Sequence, residues 1–253
     1  MFEVATHIAV FLILAAFVAG FVDSIAGGGG LIAMPALLLA GANPLEALAT
    51  NKLQGSFGAG TAAFAYARAG HVQFSDQMGM AAISALGAAA GAMVAHLMPA
   101  EALRIIMPVI LVAVAAFFAL KPGLTDQDRV QRLKPAAFAF TAVPLIGAYD
   151  GFFGPGTGSF FMLAFVLLAG FGVLRATAHT KLLNFASNIG SLVVFIPSGA
   201  TWWAVGLGMG MAQILGASLG ARLAMRIGAR LIKPLLVTTS TAIALRLLWQ
   251  AWG

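Results

Sequence analysis

Cysteine is absent from all 253 residues, which excludes disulfide bridges, thiolate metal sites and iron–sulfur clusters. Charge is nearly as scarce. Asp, Glu, Lys and Arg together make up 9% of the chain, whereas a soluble domain carries about a quarter of its residues charged. The four histidines, His7, His71, His96 and His179, show no HxxxH or HExxH spacing, so neither a transition-metal site nor any other cofactor is expected. No Lys or Arg precedes Lys52. The first apolar run therefore lacks the basic flank of a secretory signal peptide and is expected to remain as a membrane helix.

What the chain holds in excess is apolar: 61% of residues are hydrophobic and the mean hydropathy is +0.97. Apolar runs recur along the whole length, each near the roughly 20 residues that a bilayer core of about 30 Å requires. The fold class expected is an all-α polytopic membrane protein with no separate soluble domain. The net charge of +6 comes from basic residues placed singly or in small groups between apolar runs. They read as topology signals facing lipid and water, not as a nucleic-acid surface.

The chain reads as a duplication. A shift of 129 residues aligns ALATNKL (Ala47 to Leu53) with ATAHTKL (Ala176 to Leu182) and LGAAAGA (Leu86 to Ala92) with LGASLGA (Leu215 to Ala221), while a shift of 127 pairs Asp23 with Asp150 and Gly27 with Gly154. Two membrane repeats follow, 1–120 and 135–253, joined by a polar linker at 121–134. Each contains five apolar segments: about 4–22, 31–41, 47–66, 77–97 and 102–120, then 136–149, 158–171, 174–196, 202–224 and 231–250. The second of each set would reach only about 16 to 21 Å as a helix. With segments alternating in direction and the linker cytoplasmic, Arg68, Lys121, Arg129, Arg132, Lys134, Arg175, Lys181, Arg222, Arg226, Arg230 and Lys233 fall inside. Lys52, Arg104 and Arg246 fall outside. That bias predicts periplasmic termini, and five segments per half make the two repeats inverted.

Segments one and two of each half read as a broken helical hairpin. GFVDSIAGGGGLIAMPALL, from Gly20, and GAYDGFFGPGTGSFFMLAF, from Gly147, each place an aspartate and a glycine-rich break inside an apolar run. Counted along one helix from Pro135, Asp150 lies roughly 22 Å in, and unwound backbone at that depth survives only inside protein or along a watery cavity. The free amides and positive dipole of the second helix then suit an anion. Gly28, Gly29 and Gly30 in one half, with Gly154, Gly156, Thr157, Gly158 and Ser159 in the other, are the candidate substrate-binding residues of the tips. No GK[ST] follows either run, which excludes a nucleotide-binding loop.

The following segment of the second half carries Thr177, Thr180, Lys181, Asn184, Ser187, Asn188 and Ser191 at helical spacing. Such a stripe lines a cavity or joins helices by hydrogen bonds. Lys181, Asn184 and Asn188, with Asn51 and Lys52 from the first half, complete the candidate binding set. Both lysines stand near enough to a helix end to snorkel. Lys181 either meets the anion or neutralises Asp150. Asp23 and Asp150 accept protons, pair with the lysines or cap the hairpin helices. His179 reads as solvated at an interface and Trp202 with Trp203 as an interfacial belt. GASLG (Gly216 to Gly220) matches the serine-hydrolase GxSxG, but its repeat mate GAAAG has no serine, so the shared glycines signal helix packing. No catalytic residue is expected.

At GFVDSIAGGGGLIAMPALL, ATNKLQGSFG, GAYDGFFGPGTGSFFMLAF and HTKLLNFASNIGSLVVF the chain resembles the sulfite exporter TauE/SafE family of permeases, essentially end to end. The resemblance implies secondary transport of a small, often sulfur-bearing anion such as sulfite or a sulfonate across the bacterial inner membrane. Many members of that family carry Gly-Thr-Ser where this chain has ATNKL and AHTKL. The competing readings are an anion channel and a membrane-embedded enzyme, the latter lacking a nucleophile, base and metal constellation.

Overall fold

The computed structural model of the chain describes residues 3–119, 127–128 and 130–228. Among them it is all-helical: α1 Thr6–Ala26, α2 Gly30–Leu39, α3 Pro44–Arg68, α4 Met78–Leu97, α5 Ala100–Ala119, α6 Pro135–Phe140, α7 Ala142–Phe152, α8 Thr157–Leu167, α9 Val173–Phe195 and α10 Trp203–Ile227. Three of these, α1, α4 and α10, are long and apolar enough to cross a membrane, while α2 and α8 are short apolar helices. The expected segment 231–250 and most of the linker lie outside the described residues.

Local chemistry accounts for the boundaries. Asn43 Oδ1 accepts from the amides of Leu45 and Glu46, both at 3.0 Å, and Glu46 Oε2 accepts from Asn43 N at 2.8 Å. With Pro44 at the first helical position, this is a complete capping box opening α3. The start of α10 is capped from a distance: Glu3 accepts from Ala204 N at 2.9 Å and Val205 N at 3.0 Å. Burial by itself would raise the Glu3 pKa, but these amides outweigh it and the net shift is downward.

Two sequence expectations need correction. The run 136–149 is two helices, because Pro144 has no N–H to give and its ring crowds the carbonyl one turn back. The break falls at Thr141, whose φ is −118° and ψ −70°, and Thr141 Oγ1 bonds Ala137 O at 2.6 Å. Second, α1 and α7 continue past their aspartates, so Asp23 and Asp150 stand on the last helical turns before the glycines.

Glycine seams set the helix directions. A β-carbon on Gly87 would sit 2.5 Å from Pro144 O, and one on Gly91, a turn later, would overlap Ala148 O, so α4 and α7 touch backbone to backbone and run parallel. One on Gly20 would lie 2.8 Å from Gln213 O, and those on Gly216 and Gly220 would overlap the backbone at Phe17 and Phe21, making α1 and α10 parallel too. Gly206 faces Leu53 and Gly210 faces Phe57, which makes α3 parallel to α10. Gly55 faces Asn188 while Gly60 faces Phe185, so α3 and α9 are antiparallel. The main contacts are α1 with α10, α4 with α7, α4 with α9, α3 with α10 and α3 with α9. At one end, Arg132 N and Leu133 N bond Leu168 O at 2.9 and 3.0 Å. There Asp128 also takes the Gly172 amide at 2.6 Å and pairs with Arg175 at 3.3 Å.

These seams leave no room for a methyl group. Gly147→Ala is expected to lower stability by about 1 to 3 kcal/mol through overpacking, read as thermal unfolding of the detergent-purified protein. Gly79→Ala, where a β-carbon meets nothing within 4 Å, is expected to stay within about 0.5 kcal/mol.

Candidate functional site

The two glycine breaks meet. Ser159 N bonds Gly27 O at 3.2 Å, Ser159 Oγ bonds Ala26 O at 2.6 Å, and a β-carbon on Gly30 would stand 3.1 Å from Pro155 Cα. The tip before α8 is held by Tyr149 Oη donating to Pro155 O and Thr157 Oγ1 donating to Gly154 O, each at 2.6 Å. Gly154 at φ +94° and Gly156 at φ +85° occupy left-handed backbone open mainly to glycine. Several tip amides are already engaged: Leu31 N with Gly28 O, Thr157 N with Gly154 O and Gly29 N with Asp23 Oδ1. The dipoles of α2 and α8 nonetheless converge on the junction.

Both lysines are completely buried, which overturns the snorkelling reading. Lys52 Nζ lies 2.7 Å from Asp150 Oδ1, and Lys181 Nζ lies 3.6 Å from Asp23 Oδ2 while donating to the Asp23 carbonyl. Each lysine thus pairs with the aspartate of the other half, and Lys181 does not neutralise Asp150. Hairpin and lysine helix of the same half are close in sequence, but the tips cross each other and exchange partners. Lys52 and Lys181 each stand about 12 Å from the start of their helices, and α3 and α9 are antiparallel, so the two pairs lie at opposite ends of the junction.

Between the pairs is a cavity of about 30 Å³ lined by Asp23, Asp150, glycines of both tips, Thr157, Asn51, Gln54, Asn184, Asn188 and Gln213. Its volume is room for one or two water-sized groups. Of the sequence candidates, Gly29, Gly30, Asn51, Gly154, Gly156, Thr157, Gly158, Asn184, Asn188, Asp23 and Asp150 line it. Gly28, Ser159, Lys52 and Lys181 do not; the lysines reach it through their aspartates. Sequence reasoning passed over Gln54, Gly55, Gln213 and Gly27. Gln213 Nε2 donates to Gln54 Oε1, and Gln54 Nε2 to Asn51 Oδ1 at 2.8 Å. Two glutamines inside apolar helices were the available signal. Most of the α9 stripe bonds its own backbone, as in Thr180 Oγ1 to Ala176 O and Ser191 Oγ to Ser187 O at 2.8 Å; Asn188 Nδ2 does so too, donating to Asn184 O at 2.7 Å, while Asn184 and Asn188 line the cavity.

His179 is half-buried rather than fully solvated. It lies against Phe165 and Phe171, and Gln77 Nε2 is in hydrogen-bond contact with its Nδ1. No group of His, Asp or Glu able to hold a metal ion occurs among the described residues.

A bundle of apolar helices around a polar cavity is the architecture of a polytopic membrane protein. The model of the sulfite exporter TauE/SafE family matches residues 12–247, and the chain belongs to that family. It is 58% identical over 248 residues to the "Probable membrane transporter protein ORF9" of Sinorhizobium sp, covering 98% of this chain and 95% of the relative. It is 45% identical over 242 residues to the "Probable membrane transporter protein YfcA" of Escherichia coli (strain K12), covering 96% and 90%. A "Probable membrane transporter protein" of Haemophilus influenzae is 39% identical over 251 residues, covering 99% and 98%. No solved structure matches the chain.

Gly154 stands over the Lys52–Asp150 pair: a β-carbon there would lie 2.8 Å from Lys52 Nζ and 3.3 Å from Asp150 Oδ1. Gly154→Ala is therefore expected to cut transport in reconstituted vesicles at least tenfold. Gly28→Ala, whose nearest neighbours would be side-chain carbons at 3.8 and 4.0 Å, is expected to change it less than twofold.

Proposed function

We propose that the protein is a secondary transporter that carries a small anion, sulfur-containing or an organic acid, across the bacterial inner membrane by alternating access. The observation that carries this reading is the cavity at the junction of two helix breaks, bracketed by ion pairs that join the two halves. Helix dipoles aimed at the junction supply positive potential, and each buried lysine offsets the charge of the aspartate it pairs with. Asn51, Gln54, Asn184 and Asn188 supply donors that replace a hydration shell. A cavity this small, with an ion pair to either side, suits a carrier better than a continuous channel.

The two halves are inverted repeats in this reading. Support comes from the antiparallel course of α3 and α9, the helices bearing the duplicated NKL and TKL motifs. It also comes from the reciprocal packing in which α1 lies on α10 and α7 on α4. Transport then follows from the halves rocking about the tips, one ion pair opening while the other stays closed. The termini face the periplasm and the linker the cytoplasm. Removing the buried Lys52 and Lys181 from the basic count leaves that bias intact, since the remaining sequence residues divide ten to two.

Thermal-shift titration of purified protein with sulfite, thiosulfate, methanesulfonate and acetate, followed by flux in vesicles, tests the reading. At least one anion is expected to stabilise the protein and to show saturable flux. Lys52→Ala and Lys181→Ala are each expected to weaken binding at least tenfold, whereas exposed Arg226→Ala changes it less than twofold. Flux that rises linearly without saturation would support a channel instead.

A further inference from the structure

The duplicated aspartates are not equivalent. Asp23 uses both carboxylate oxygens: Oδ1 accepts the Gly29 amide at 3.2 Å and Oδ2 faces Lys181 at 3.6 Å. Lys181 also donates to the Asp23 carbonyl. These contacts fasten the first tip. Asp150 is only 2% exposed, its Oδ1 faces Lys52, and its Oδ2 has no hydrogen-bond partner among the described residues although Asp150 lines the cavity. The Lys52 ammonium sits at ion-pair distance but outside hydrogen-bond alignment. A buried carboxylate oxygen without a partner is costly, and a proton is the smallest group that satisfies it.

The charge balance gives the proton a purpose. Lys52 and Lys181 against Asp23 and Asp150 sum to zero, so a monoanion entering the cavity would leave one negative charge uncompensated away from water. We propose that Asp150, and not Asp23, takes up a proton with each anion: the proton bonds to Oδ2, the ion pair with Lys52 opens, and the freed ammonium holds the anion. When the anion leaves on the other side, Lys52 returns to Asp150 and the proton departs. The site is neutral at every stage, which makes the protein a proton–anion symporter.

The other ionisable groups around Asp150 do not substitute for it. The helices against α7 are α4, α6, α8 and α9. On α4 the titratable side chain is the exposed His96, and α6 and α8 carry none. On α9, Arg175 pairs with Asp128, His179 lies beside Gln77, and Lys181 faces Asp23. Tyr149, on α7 itself, donates to Pro155 O. Lys52, on α3, is the charged group in contact with the Asp150 carboxylate.

The inference rests on the anion-transporter reading, and the test separates the two. The protein is reconstituted in vesicles containing a fluorescent pH dye and given methanesulfonate, whose charge is constant over the working pH range. About one proton per anion is expected to enter with wild type and with the exposed Arg226→Ala, falling at least tenfold in Asp150→Asn. Anion flux without protons in wild type, or an unchanged ratio in Asp150→Asn, overturns the coupling and leaves the transporter reading standing. No flux of methanesulfonate, thiosulfate, sulfite or acetate in wild type overturns both. If Asp150→Asn carries no flux, infrared difference spectra of wild type with and without the transported anion decide. A protonated-carboxyl band appearing with the anion supports the proposal, and its absence overturns it.

Discussion

A full charge inside a membrane helix needs a partner, and this requirement joins the two halves of the protein. A lysine at the centre of a membrane helix costs about 2.5 to 3.5 kcal/mol on insertion scales. Lys52 and Lys181 are both completely buried. Each finds its carboxylate on the other half, at the helix turn just before a glycine break. Neither half neutralises its own buried lysine. The assembled junction does, so pairing, crossing of the tips and formation of the cavity are one event.

The rest of the bundle serves that junction. The seams of α1 with α10 and α4 with α7 bring backbones together through glycines on both partners, which lets α3 and α9 meet at the centre and present Asn51, Asn184 and Asn188 to one space. Short α2 and α8 start at the tips, directly after the breaks. Tyr66 Oη, buried on the last turn of α3, donates to Ser24 O at 3.0 Å and steadies the end of α1 beside its aspartate. Rigid seams outside and an ion-paired, polar junction inside are consistent with the rocking carrier proposed above.

Much of this was legible in the sequence because membrane burial makes local exceptions conspicuous. An aspartate before a glycine run, or a lysine among asparagines, stands out in a chain with 9% charge, and the helix order follows the apolar runs closely. The partner exchange was not legible. Spacing records which residues share a helix face, but Lys181 meets Asp23 across 158 positions, a separation set by how the tips cross. The break at Thr141 had a signal in Pro144 that the apolar run masked. Gln54 and Gln213 occupy different places in their helices, so comparing the halves by a fixed shift did not pair them, although they bond each other in the cavity.

The crossed pairing is the claim on which the cavity, the carrier reading and the proton inference all stand. A double-mutant cycle on unfolding of the purified protein measures it directly. Removing one partner of a buried pair costs about 3 to 5 kcal/mol, so Lys52→Met and Asp150→Leu together are expected to cost far less than the sum of the single changes, as are Lys181→Met and Asp23→Leu. The mismatched combinations, Lys52 with Asp23 and Lys181 with Asp150, are expected to be additive. Strong coupling in the mismatched combinations, with additivity in the crossed ones, would contradict the account.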